Sequence, residues 1–311
     1  MIYYYIKIIH VRVIDNLAGG HKKNLKHNSN NPYLKFNNID ICKLKPNNKL
    51  FKNADYVFHF AGVGDIVPSI ENPVKYITNN VQGTVKVLEA ARYSKVKKFI
   101  YAASASCYGI NEKIIKEDSH INLEHPYALS KYLGEKAVFH WNKVYGLSAN
   151  SIRIFNAYGP RVRTTGAYGA VIGVFFKQKI KNKPLTIVGD GKQSRDFVHV
   201  TDVVRAFLAA AKTTKVGKIY NVGSAKPKTI NYLAKLIGGK KIFIPNRLGE
   251  PKYSWADISK IKRELNWKPK IKFEEGIAKM LTEIEKWKDA PLWTPKKIKK
   301  TTKIWFNYLS K

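Results

Sequence analysis

The chain has 311 residues, 44% of them hydrophobic, enough for a substantial core in one large domain or two coupled lobes. Lysine and arginine total 56 against 22 aspartates and glutamates, a formal net charge of +34. No apolar run approaches the length of a membrane span, and two cysteines, Cys42 and Cys107, make neither a disulfide framework nor a metal pattern.

The opening MIYYYIKIIH is apolar but too short to span and lacks a small-residue cleavage site. With the sparse cysteines this reads as a soluble, cytoplasmic protein without a membrane partner or a metal site. The basic excess raises a nucleic-acid or anionic-membrane reading. The excess is mostly lysine, however, spread along the whole chain with abundant asparagine and isoleucine. No arginine-rich patch, zinc module or stacking-aromatic motif accompanies it. The charge is therefore read as compositional, with no specific nucleic-acid partner, though its field suits a polyanionic small molecule.

In chain order, short apolar runs predict strands at VRVID (11–15), YVFHFAG (56–62), KFIYAAS (98–104) and SIRIFN (151–156). Helical spacing predicts helices over 79–94 and 128–145. Such alternation implies a parallel sheet covered on both faces. Beyond about residue 157 the loops GPR, GAYG and GDGKQSRDF separate shorter mixed elements. The final PKKIKKTTKIWFNYLSK predicts a solvated helix docking by Trp305 and Phe306. In an open α/β sheet a ligand lies outside the carboxyl ends of the strands, and Asp15, His59, Ser104 and Asn156 fall at or near such ends.

Several of these positions carry candidate chemistry. Asp15, followed by Asn16, suits the two hydroxyls of an adenosine ribose, or simply caps a turn. The small residues in HFAG (59–62) let backbone approach a flat ligand, or let a strand meet a helix. Ser104 and Ser106 follow a strand, where serines most often satisfy backbone groups. In HPYALSKYLGEK (125–136), Tyr127 and Lys131 stand one helical turn apart. A tyrosine titrates near 10, so a base near neutrality needs a drop of roughly three units. A neighbouring ammonium is one source of it. Arg195 and Arg247 could each hold a pyrophosphate, or pair with surface acids.

These segments together resemble the extended short-chain dehydrogenase/reductase family, specifically its NAD-dependent sugar-nucleotide epimerases and dehydratases. The resemblance is carried from about residue 11 to about 285 by VRVIDNLAGG, VFHFAGVGDIVPSIENP, NNVQGTVKVLEAAR, FIYAASASCYG, HPYALSKYLGEK, IRIFNAYGPR, PLTIVGDGKQSRDFVHVTDV, YNVGS and PNRLGEPKYSWADISKIKRELNWKP. It implies a Rossmann-like, doubly wound parallel sheet with a smaller C-terminal α+β lobe. Residues 1–156, with 197–222 returning to them, would bind NAD, and 157–196 with 223–311 would form the substrate lobe.

The resemblance also implies roles. Ser104, Tyr127 and Lys131 are the catalytic group. Asp15 and Asn16 bind the adenosine ribose, and Asp40 and Ile41 flank the adenine. Phe60, Ala61, Gly62 and Asn80 line the cofactor, which Tyr127 and Lys131 also touch. Ser106 lies near the sugar, Asn156 meets the substrate phosphates, and Thr186 and Val188 sit near the base. Arg195 and Arg247 hold the diphosphate and Glu250 the nucleotide ribose. The implied reaction is C4 epimerisation of a UDP-sugar through a 4-keto intermediate, in a homodimer paired through helices 79–94 and 128–145. A sibling activity on a UDP-uronic acid, or a nucleotide-sugar-binding pseudoenzyme, stays open.

Dehydratases and decarboxylases of the family carry acids after the catalytic hydroxyl residue. Here Ala105, Ser106 and Cys107 follow Ser104, which disfavours both. Ser254 stands where glucose-restricted relatives carry a bulky tyrosine, so acceptance of both plain and N-acetylated hexoses is expected. One departure is serious. The family opens with a strand, a G-x-x-G-x-x-G loop and a helix, and no such motif precedes VRVID. The expectation is two neighbouring strands without their central partner and weak NAD binding by the chain as written.

Overall fold

A computed structural model describes residues 9–111, 114–162, 171–246 and 249–309. Its strands are β1 (Val11–Ile14), β2 (Leu34–Asn37), β3 (Tyr56–His59), β4 (Lys98–Ser104), β5 (Ala149–Ile154), β6 (Asn156–Tyr158), β7 (Leu185–Val188), β8 (Ser194–Arg195), β9 (Phe197–His199), β10 (Lys218–Val222), β11 (Lys228–Thr229) and β12 (Lys241–Ile244). Its helices are α1 (Ile66–Glu71), α2 (Pro73–Ile77), α3 (Gly83–Tyr93), α4 (Pro126–Tyr145), α5 (Val171–Ile180), α6 (Val200–Lys212), α7 (Ile230–Ile237), α8 (Ser259–Leu265), α9 (Phe273–Thr282), α10 (Pro295–Thr301) and α11 (Lys303–Tyr308).

A parallel sheet of order β10–β5–β4–β3 forms the centre. Side chains alternate across a strand, so β4 feeds two cores at once. Phe99, Tyr101 and Ala103 pack with Val87, Leu88 and Ala91 of α3 and Val138 of α4. Ile100 and Ala102 point the other way, into a core with Val203, Ala206, Phe207 and Ala210 of α6. Burial on both faces is why β4 reads as an unbroken apolar run rather than an alternating one. A third core joins α5, α7 and α9 to β7 through Phe175, Phe176, Ile187, Leu233, Ile277 and Trp287. There β7 pairs with β12, β8 with β11, and β6 with β9.

β1 and β2 form a separate parallel pair, and among the described residues β1 and β3 each have a single strand neighbour. Tyr56 and Phe58 on β3 are exposed, as are Val204 and Leu208 on α6. The Arg12 guanidinium donates to the carbonyls of Leu50 (2.9 Å) and Lys52 (2.7 Å), tying β1 to the segment before β3. The apolar opening MIYYYIKI and Arg247 lie outside the described residues.

The terminal segment corrects one expectation. Trp305 is buried but Phe306 is 40% exposed, because a helix as short as α11 presents only one face inward. His59 also departs from the predicted rim. It is buried, with its ring Nε2 2.9 Å from the Thr84 hydroxyl oxygen.

Two buried histidines set an acid limit. Burial lowers His59 to about 3 and His125 to about 4. The unfolded chain therefore takes up protons near 6.5, before the folded chain does, and stability falls as pH drops from about 6.5 toward 4. His125→Asn keeps an N-cap acceptor and removes that titration. Its stability, from urea unfolding, should decline less between pH 6.5 and 4, by on the order of 2 kcal/mol. Matching slopes for parent and variant would contradict this.

Candidate active site

The site is built on the start of α4. His125 caps the helix, its Nδ1 accepting from the Ala128 amide (3.1 Å), and Pro126 occupies the first turn where a missing N–H costs nothing. Tyr127 and Lys131 follow on successive turns. Gly134 lets α4 approach β4 closely, since a β-carbon there would collide with the Tyr101 hydroxyl and the Asn80 carbonyl. One turn past Lys131, Glu135 forms a buried ion pair with Arg153 of β5 (2.6 Å). The Ser151 hydroxyl donates to the same carboxylate (2.6 Å), and Arg153 donates to the Tyr108 hydroxyl oxygen (2.9 Å). α4, β5 and the turn 105–108 are thereby locked together.

Ser104 ends β4. Its Oγ accepts from the Ser106 amide (3.2 Å) and from the Ser106 hydroxyl (2.8 Å), which leaves its own O–H to donate. The Tyr127 phenol is raised above its ordinary value. Burial is the main cause, hydrogen bonding with Ser104 pulls the other way, and the Asp65 carboxylate adds to the rise. This corrects the expectation that Lys131 lowers it. The Lys131 ammonium lies 4.5 Å above the Tyr101 ring, and burial pulls it down to about 8 while Glu135 pulls it up. The phenol and the amine are each buried, and burial disfavours both charged forms.

A cavity of about 560 Å³ gathers Ser104, Ser106, Tyr127, Asn156, Thr186, Val188, Arg195, Glu250 and Ser254. Asn156 starts β6, and the Ser254 hydroxyl stands 3.5 Å from its Oδ1. Arg195 donates to Glu250 (2.7 Å) and to the Pro251 carbonyl (2.8 Å), so cation and acid are held as a pair. Thr186 is spent on Gln178, which donates to its hydroxyl at 2.8 Å. Met280, Trp287 and Trp293 add hydrophobic wall to the same cavity.

Apart from Tyr127, the residues expected to line a cofactor lie outside that cavity, around the carboxyl ends of the first strands. Asp15 accepts from the Leu17 amide (2.7 Å), Asn16 from the Ala18 amide (3.0 Å) and Asp40 from the Cys42 amide (2.9 Å). Ile41 packs in the core beside Gly83, and Phe60 lies against Phe207 with the rings tilted by 32° and their centres 4.4 Å apart. Asn80, on a π-helical turn of the kind common at functional sites, spends its side chain on the Val63 backbone and Ser130. It therefore shapes the loop rather than offering a free group. At Gly62 a β-carbon would sit 2.7 Å from the Asn80 Oδ1 and 3.8 Å from the Lys131 Nζ, a cradle that suits a flat ring beside the ammonium. The residues present thus fit both ends of a dinucleotide: an acid for the adenosine ribose, and Lys131 with Gly62 for the nicotinamide ribose. Between those ends, no glycine-rich phosphate turn occurs among the described residues.

Three contributors escaped the sequence reading. Glu135 stands inside the quoted motif, four residues after Lys131, and that spacing was a usable signal. Asp196, fully buried, accepts from the amides of Ser224, Ala225 and Ala256 and from the Ser224 hydroxyl. Trp305 reaches the cavity from more than 170 residues away in sequence. Removing the anchor tests this geometry. Glu135→Gln should lower Lys131 further below about 8, since the carboxylate is what supports the ammonium. It should also cost on the order of 3–5 kcal/mol by stranding Arg153. Lysine side-chain NMR titration and urea unfolding read the two effects. An unmoved titration with unchanged stability would remove the pair's anchoring role.

Residues 7–223 match the NAD dependent epimerase/dehydratase family. The UDP-glucose 4-epimerase of Mycolicibacterium smegmatis is 32% identical over 275 residues, 86% of this chain and 88% of that protein. The solved UDP-glucuronic acid 4-epimerase of Bacillus cereus, in complex with UDP-glucuronic acid and NAD, superposes with a TM-score of 0.83 at 30% identity, covering 89% of this chain and 91% of that one. The UDP-N-acetylglucosamine 4-epimerase of Methanobrevibacter ruminantium gives 0.82 at 31%, covering 88% and 91%. With the family match spanning most of the chain and its sheet, site helix and cavity built as described, this protein belongs to the NAD dependent epimerase/dehydratase family.

Proposed function

We propose that the chain inverts C4 of a UDP-linked hexose, with residues 1–156 and 197–222 as the cofactor domain and 157–196 and 223–311 as the substrate lobe. The observation that carries this is the meeting of Ser104 and Tyr127 in a cavity that also contains the Arg195–Glu250 pair. Such a cavity suits a sugar diphosphate, with its reacting hydroxyl beside Ser104 and Tyr127 and its charge beside Arg195.

The chain's own groups act as follows. Tyr127 takes the proton from the 4-hydroxyl and returns it to O4 of the epimer. Ser104 donates to that oxygen as it becomes a carbonyl, its own acceptor sites being filled by Ser106. Lys131 and Gly62 would hold the nicotinamide ribose, and Asp15 the adenosine ribose. Bound there, the nicotinamide would accept the C4 hydride, return it, and add positive charge beside the phenol. That added charge addresses the raised phenol, which in the protein alone stays protonated at neutral pH. Arg195, with Arg247 as its intended companion, keeps the diphosphate in place while the planar 4-keto sugar turns. Glu250 orients Arg195 and takes the nucleotide ribose, and Thr186 and Val188 flank the base.

No acid follows Ser104, and burial pushes the Cys107 thiol up to about 12, so this turn carries no second proton donor for a dehydration. A homodimer through the outer faces of α2, α3 and α4 fits their exposed Val74, Ile77, Tyr93, Leu129 and Leu133. Among the described residues no helix is long and apolar enough to cross a membrane.

Tyr127→Phe, assayed with NAD supplied, should lose on the order of 10²–10⁴-fold in turnover of UDP-galactose while binding UDP normally. Parental turnover in the variant would overturn the assignment. Ser254→Tyr should depress turnover of UDP-N-acetylglucosamine while sparing UDP-glucose. Equal retention of both would show that residue 254 does not gauge the C2 substituent.

A further inference from the structure

The end of the chain lies across the cleft. Ile298 and Thr302 are buried and fix α10, the Thr302 hydroxyl donating to the Ile298 carbonyl (2.8 Å). From there α11 runs onto α1, which itself packs on α4. Trp305, 4% exposed, is a wall of the cavity that Tyr127 lines. Past it, Leu309 settles on Gly249, where a β-carbon would collide with the Leu309 carbonyl and where φ is +79°, a conformation that favours glycine. Glu250, the next residue, is the partner of Arg195. α11 and the residue after it therefore touch two walls that are distant in sequence, Ile66 and Val67 of α1 and Gly249 with Glu250, all lining the same cavity.

The outer side of this segment is open to solvent, with Lys303, Phe306, Asn307 and Tyr308 exposed. A helix of six residues has no stability of its own in water, so its order comes from what lies beneath it. Such an element can leave and return without disturbing the sheet.

We propose that α11 is a strap over the sugar-nucleotide cleft and that Trp305 is a wall in contact with the bound substrate. Closed, it retains the diphosphate sugar and keeps water from the planar 4-keto sugar while that sugar turns. Opening it governs release. The proposal rests on the reading of the cleft as a UDP-sugar site.

UDP alone, without NAD, is the probe, because it needs only the substrate lobe. Dissociation of a fluorescent UDP analogue, chased by excess UDP, is followed by stopped flow for three proteins: the full chain, a chain ending at Thr302, and Trp305→Ala. Hydrogen exchange of residues 303–309 in the full chain, with and without UDP, gives a reading that no variant's folding can disturb. The strap predicts release at least tenfold faster after truncation, several-fold faster for Trp305→Ala, and slower exchange in 303–309 when UDP is bound. UDP binding with equal release rates and unchanged exchange would overturn the strap and leave the UDP-sugar reading intact. Failure of the full chain to bind UDP would overturn both.

Discussion

The ion pair between Glu135 and Arg153 holds the rest of the site in register. Both side chains are almost wholly buried, and their contact is 2.6 Å. Two charges taken out of water are costly unless every remaining donor and acceptor is met. Here they are: Ser151 and the Arg153 Nε supply the carboxylate, and Tyr108 and the Glu117 carbonyl take the guanidinium. Burial works against the guanidinium, but Glu135 more than offsets it and keeps Arg153 firmly cationic. The network reaches β10 as well, since the Tyr108 hydroxyl donates to Asn221 (2.7 Å). It thus joins the helix that carries Tyr127 and Lys131, the turn that carries Ser106, and two central strands.

From this anchor the chemistry follows by position. Ser104 emerges where β4 ends, Tyr127 comes off the first turn of α4, and the two meet because α4 is pressed onto β4 at Gly134. Arg195 and Glu250 line the same cavity. Burial raises the phenol above its ordinary value and pulls the amine down to about 8, disfavouring the charged form of each.

The strands and main helices were legible because their patterns are local. The runs at 11–15, 56–62, 98–104 and 151–156 correspond to β1, β3, β4 and β5 with β6, and 128–145 to α4. The fold's central sheet followed from that alternation. Ser104 and Tyr127 were legible as a pair only through the resemblance, since a Y-x-x-x-K spacing alone describes many helix surfaces. Long-range effects were not legible. Nothing in the residues near Asp196 announces that it will accept four hydrogen bonds from two distant segments. The direction of the Tyr127 shift depends on burial against Asp65, which local spacing cannot supply. Phe306 was read as a docking residue because it adjoins Trp305, yet neighbours on a helix face different ways.

The central claim is that hydrogen leaves C4 and comes back to the same carbon within one closed site. Conversion of UDP-galactose to UDP-glucose in D₂O, with NAD supplied and the product examined by NMR, tests it most directly. The account predicts UDP-glucose with protium at C4. Deuterium at C4, or no conversion at all, would contradict it.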